Sequence, residues 1–343
     1  MTTRGVTLAA LLAALGRPSW WLLALAGFLV RGGVLLFILA IVSLPSPLVI
    51  SNLVAPMLVP AVLGRVDAGT LLPVILAVVC LATWLIGGGW IAAVTEIVLV
   101  RDAHDAMADE GLRMRPPVRA GRLLSVRVAA AHLLAHVPTA LVLAIGAVRI
   151  VNVLYVELTS PFEVTTPLVI RVVVGAAAPI AAIVVVWVIC EILGGLAARR
   201  IVLDGASLVG GLRAGLGDLI RRPAGTLLPA LATTLVLAID LAALLGAIAV
   251  VWSQVRERLA GSLADGAAVT VALLAFGGTW VGALALTGLI DAWRSAGMTF
   301  EAERAVVAGA VRTGSDPDPG GTIGASAGRR PGDWSTGDRG GSL

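Results

Sequence analysis

His132 and His136 stand four residues apart in an otherwise apolar run, and Glu96 and Glu191 occupy runs of the same kind. An i, i+4 spacing puts both imidazoles on one helical face, as a metal ion requires of paired ligands. The intervening Leu133-Leu134-Ala135 lacks the glutamate of the zinc-protease pattern, so no hydrolase follows from the pair. Three readings stay open for these four residues: a metal site, a proton or cation relay, and hydrogen-bonded packing near helix ends. Arg31 and Asp240 form a second set, each in a long apolar stretch where an ionised group costs several kcal/mol unless it is partnered. Arg31 lies thirteen residues after Pro18 and Asp240 seventeen after Pro223. At 1.5 Å per residue the two differ in depth by roughly 6 Å, within reach of an arginine side chain. A salt bridge between the first and fifth spans is the expected outcome, and a gated ion or proton path is the alternative.

These residues must be carried by membrane helices. The chain of 343 residues is 58% hydrophobic and 13% charged, with mean hydropathy +0.98, against about 25% charged in soluble domains. An all-α polytopic protein follows. Its six spans are expected at residues 19–43, 72–100, 128–151, 168–197, 226–252 and 267–290, within a membrane domain over 1–307. The apolar run 6–15 is too short to cross and reads as an interfacial helix feeding an uncleaved first span. Residues 44–70 hold Pro45, Pro47, Pro56 and Pro60 among apolar residues and suit an interfacial or re-entrant segment. Residues 308–343 are Gly-, Ser-, Asp-, Arg- and Pro-rich and read as a disordered cytoplasmic tail.

There is no lysine; all 25 basic residues are arginine. They concentrate between spans 2 and 3 (Arg113, Arg115, Arg119, Arg122) and between spans 4 and 5, which places both termini in the cytoplasm. Trp20, Trp21, Trp252 and Trp293 are expected at the interfaces. The segment Arg199–Arg222 has leucines at helical spacing and carries Arg199, Arg200, Arg213, Arg221 and Arg222, as a helix lying on anionic lipid would. Arg17-Pro18 before the first span matches Arg222-Pro223 before the fifth. Likewise Gly88-Gly89-Trp90 in the second span matches Gly277-Gly278-Thr279-Trp280 in the sixth. These pairs imply three helical hairpins, each opened by a cytoplasmic interfacial amphipathic helix.

The lead-in Val202-Leu203-Asp204-Gly205, continuing through Leu212, Gly215 and Leu219 to Arg222-Pro223, resembles a pattern of prokaryotic six-span membrane proteins. Those proteins are similar to the membrane domain attached to some glycerophosphoryl diester phosphodiesterases. The resemblance implies a six-span architecture over residues 1–305 and assigns no functional residue, and the chain carries no phosphodiesterase domain.

The remaining motifs exclude function classes. Gly87, Gly88 and Gly89 lie inside a span and read as close helix packing rather than a phosphate loop. Cys80 and Cys190 fall at different depths and form no disulfide or metal pair. No serine nucleophile with a base, no cofactor motif and no nucleic-acid module is present. A non-enzymatic membrane scaffold or accessory component is expected, with the bilayer, anionic headgroups and membrane proteins as partners. A small transporter or channel subunit is the alternative, and a membrane enzyme acting on lipid is the least supported.

Overall fold

The computed structural model describes residues 3–42, 68–109, 122–159, 168–221, 223–260 and 266–313. Among them the chain is helical, without strands. In chain order the helices are α1 (Thr3–Leu15), α2 (Pro18–Phe28), a π-helical turn (Leu29–Gly33), α3 (Val34–Ile41) and α4 (Ala68–Asp109). There follow α5 (Arg122–Ala135), α6 (Val137–Thr159), α7 (Leu168–Gly175), α8 (Ala177–Asp204), α9 (Leu208–Arg221), α10 (Pro223–Ala260) and α11 (Gly266–Thr313). The described residues up to Arg304 belong to one compact unit.

Six segments are long and apolar enough to cross a membrane: Pro18–Ile38, Leu71–Met107, Leu123–Glu157, Ala177–Asp204, Gly225–Leu259 and Gly266–Arg304. The protein is therefore a multi-pass membrane protein of six candidate spans. Most of these helices run past the apolar limits set by the sequence, because backbone hydrogen bonding continues after the first charged residue. Large side chains such as Ile86, Ile145 and Leu274 are exposed along the spans, as a lipid-facing surface requires. Buried residues gather instead towards one end of the second, third and fourth spans. There Ala93, Ile97 and Val100 of α4 pack with Val128 and Ala131 of α5 and Ala197, Ile201 and Val202 of α8.

Small residues set how closely the helices approach. A β-carbon on Gly27 of α2 would stand 2.9 Å from Thr95 Oγ1 of α4, and one on Gly88 would stand 3.0 Å from the Val30 carbonyl. These contacts bring the π-turn against α4. Within the turn Gly32 adopts φ 115°, which a residue with a β-carbon rarely tolerates, and the helix is redirected at that point. The third span breaks at His136, two residues before Pro138, whose missing N–H and ring interrupt the ladder.

One expectation is corrected. The segment expected to begin at Arg199 does not: α8 continues through Arg199 and Arg200 to Asp204 and stops at Gly205, which caps it at φ 68°. A separate helix, α9, follows, opened by Ser207, whose Oγ accepts from the Gly210 N–H at 3.2 Å. Its Gly211 and Gly215 lie against Ile201 and Ala197 of α8, while Val209, Leu216 and Ile220 are exposed. Three of the tryptophans expected at the interfaces make contacts within the protein. Trp20 is fully buried with Arg17 stacked 5.0 Å from its ring, Trp21 Nε1 donates to the Ala14 carbonyl at 2.7 Å, and Trp293 Nε1 donates to that of Thr7 at 3.0 Å. Together they pin α1 to the bundle. The proline-rich segment 44–67, Arg222 and the tail from 314 lie outside the described residues.

Candidate functional site

The polar residues expected inside the spans converge on one place, apart from Asp240. Arg31 projects from the π-turn, Glu96 from α4, His132 from α5, His136 from the break between α5 and α6, and Glu191 from α8. Arg31 Nη2 donates to Glu96 Oε2 at 2.5 Å, and Nη1 lies 3.6 Å from Glu191 Oε1. His132 Nε2 is 2.7 Å from the same Glu96 oxygen, and His136 Nε2 is 3.4 Å from Glu191 Oε2. The two histidine rings stack with centroids 6.5 Å apart. His136 Nδ1 lies 2.8 Å from the His132 carbonyl; a carbonyl only accepts, so Nδ1 carries the proton. The position of His132 depends on Gly194, where a β-carbon would stand 2.7 Å from its Nδ1.

Three further residues, none of them in the expected intramembrane polar set, complete the site. Arg199, expected on the lipid surface, is instead 2% exposed inside the bundle. Its Nη1 donates to the Gly195 carbonyl at 2.7 Å and lies 3.4 Å from Glu96 Oε1, and its Nη2 donates to the Ser295 carbonyl and hydroxyl at 2.9 and 3.1 Å. Arg294 Nη2 donates to Glu191 Oε1 at 2.6 Å, and Asp291 lies 3.7 Å from Arg294. Arg31, Arg199 and Arg294 thus face Glu96, Glu191 and Asp291, so with neutral imidazoles the cluster carries no net charge. That balance is what a low-dielectric site demands.

The expected pairing of Arg31 with Asp240 is overturned. Arg31 is engaged by Glu96 and Glu191, while Asp240 Oδ2 is buried with no hydrogen-bond partner among the described residues. The redirection at Gly32 is the reason: depth counted along an ideal helix does not give the position of a side chain on a π-turn. Arg200 is likewise no free surface charge, pairing with Asp218 of α9 at 2.7 Å and with Asp204 at 2.9 Å. Arg213 and Arg221 are exposed.

The cluster lines part of a partly open cavity of about 880 Å³. The rest of the wall is mostly apolar and aromatic, including Trp84, Trp90, Trp187, Leu133 and Leu237, while Asp240 is not part of it. Arg31 is the most accessible of the three arginines, with a third of its side-chain surface exposed. Such a chamber can hold an apolar body and present donors and acceptors to a polar end.

No family model, curated protein or solved structure matches the chain.

Proposed function

We propose that the protein binds a small amphipathic molecule between its spans and acts as a transport or carrier component of the membrane. The carrying observation is the convergence of Arg31, Glu96, His132, His136, Glu191 and Arg294 on the wall of an otherwise apolar cavity. A scaffold needs only enough intramembrane charge to pin its helices, and helix pinning alone gives no reason for a chamber of about 880 Å³ beside the charges. In this reading the apolar body lies against the tryptophans, and Arg31 meets the polar end.

The proposed setting is a prokaryotic cell membrane with both termini in the cytoplasm, supported by the arginine-rich connections between spans 2 and 3 and between spans 4 and 5. Three hairpins, each opened by an interfacial helix, extend the resemblance to phosphodiesterase-attached membrane domains. The exposed Val209, Leu216 and Ile220 of α9, with Arg213 on the same face, support lipid contact there.

A brominated fatty acid tests the binding reading, since bromine quenches tryptophan on contact and Trp84, Trp90 and Trp187 line the chamber. Saturable quenching of the purified protein in detergent is expected. Gly89 also lines the chamber, and a β-carbon there meets nothing within 4 Å. Gly89→Phe should therefore fill the space without disturbing the fold, and should abolish the saturable part. Equal saturable quenching in both proteins refutes the reading.

A further inference from the structure

The histidines and Glu191 of the cavity wall have the spacing of a metal site. His136 gives its Nδ1 proton to the His132 carbonyl at 2.8 Å, which fixes the ring and leaves Nε2 aimed into the cluster. Backbone carbonyls orient metal-binding imidazoles in the same way. An ion with bonds of about 2.1 Å in tetrahedral geometry separates its ligand atoms by about 3.4 Å. His136 Nε2 and Glu191 Oε2 are 3.4 Å apart, and one ligand atom from each of His132, His136 and Glu191 lies within 4.8 Å of the others. Glu96 Oε2 lies 2.7 Å from His132 Nε2, closer than two ligands of one ion stand, and is a hydrogen-bond partner of that ring.

We propose that His132, His136 and Glu191 form an intramembrane site for a divalent transition metal of the zinc class. Two imidazoles with a carboxylate favour such an ion over magnesium or calcium, which take oxygen ligands. The guanidinium of Arg31 stands where a cation would stand, bridging Glu96 at 2.5 Å and Glu191 at 3.6 Å and approaching His132 Nε2 at 3.4 Å. Metal entry displaces Arg31 into the cavity, where a third of its surface already lies exposed. Side chain and metal therefore compete for one seat. This inference does not depend on what the cavity binds.

The test uses the full-length protein in detergent, stripped with a chelator and titrated with zinc against a chromophoric competitor, with cobalt(II) as a spectroscopic substitute. One zinc per chain is expected, together with the intense visible bands of four-coordinate cobalt. His136→Ala and Glu191→Gln should each weaken binding by at least about tenfold. Arg31→Gln should strengthen it by at least about tenfold, because a like charge leaves the seat. Because a ligand variant can fail by misfolding, the wild-type protein supplies a second readout. Zinc should protect His132 and His136, but not His104, from diethyl pyrocarbonate, as located by mass spectrometry. Unchanged modification of all three histidines, or zinc uptake equal in wild type and His136→Ala, overturns the proposal. So does an Arg31→Gln protein that binds zinc no better than wild type.

Discussion

Replacing Glu96 by Gln removes the carboxylate that two arginines share, while the amide keeps the volume. Arg199 is 2% exposed and loses its 3.4 Å ionic contact; Arg31 loses its 2.5 Å bond. Breaking a buried pair from one side costs about 3–5 kcal/mol. The reverse change, Arg31→Met, should cost less, about 2 kcal/mol, since Arg31 is partly exposed and Glu96 keeps His132 and Arg199. If the two costs were independent, the double variant would lose roughly 6 kcal/mol. Because it restores the charge balance, the expected loss is nearer 4, a coupling of about 2 kcal/mol. Titration with sodium dodecyl sulfate from mild micelles, followed by the intrinsic fluorescence of nine tryptophans, measures all four proteins. Additivity within about 0.5 kcal/mol would show that the two side chains do not interact and would refute the cluster as drawn.

Other outcomes follow from the same contacts. Asp240→Asn should change stability by less than about 1 kcal/mol, because Asp240 holds no partner among the described residues; a loss above 3 in the same titration would restore the pairing with Arg31. Gly288→Ala should destabilise by about 1–3 kcal/mol, as its β-carbon would meet the Trp21 carbonyl oxygen at 2.6 Å and backbone cannot swing aside; chemical denaturation checks it. Glu303→Ala should cost about 1–3 kcal/mol by orphaning buried His104, now 3.0 Å away, whereas Glu303→Gln should cost less. For topology, cysteines placed at Ser207 and Gly266 in a background lacking Cys80 and Cys190 should label from the cytoplasmic and outer sides respectively. The opposite result sinks the proposed orientation.

The six spans were legible because about twenty apolar residues in a row have few other destinations. The polar set was legible in part. Glu96, Glu191, His132 and His136 stand inside apolar runs and draw notice on cost alone. Arg199, Asp291 and Arg294 escaped because hydropathy ends a span at its first charges, whereas the helices carry on. One signal was present: Glu191, Gly195 and Arg199 repeat at four-residue steps on one face, and Asp291 with Ser295 does the same. The Arg31–Asp240 pairing failed for a different reason, since a π-turn at Gly32 leaves no periodic trace to measure depth from. Asp240 itself keeps an unpartnered carboxylate oxygen in its span, and nothing in its surroundings explains it.

The membership of the charged cluster bears on how the chain is made. A nascent chain enters the bilayer segment by segment, and its last span arrives long after the first. The first two spans bring Arg31 and Glu96, the fourth brings Glu191 and Arg199, and the sixth brings Asp291 and Arg294. Each delivery therefore supplies one cation and one anion, and the third span adds only imidazoles. A ribosome paused after any even-numbered span would hold an intermediate whose intramembrane charges at this site already cancel. The burden on the insertion machinery is thus spread along synthesis rather than left for the final helix to relieve.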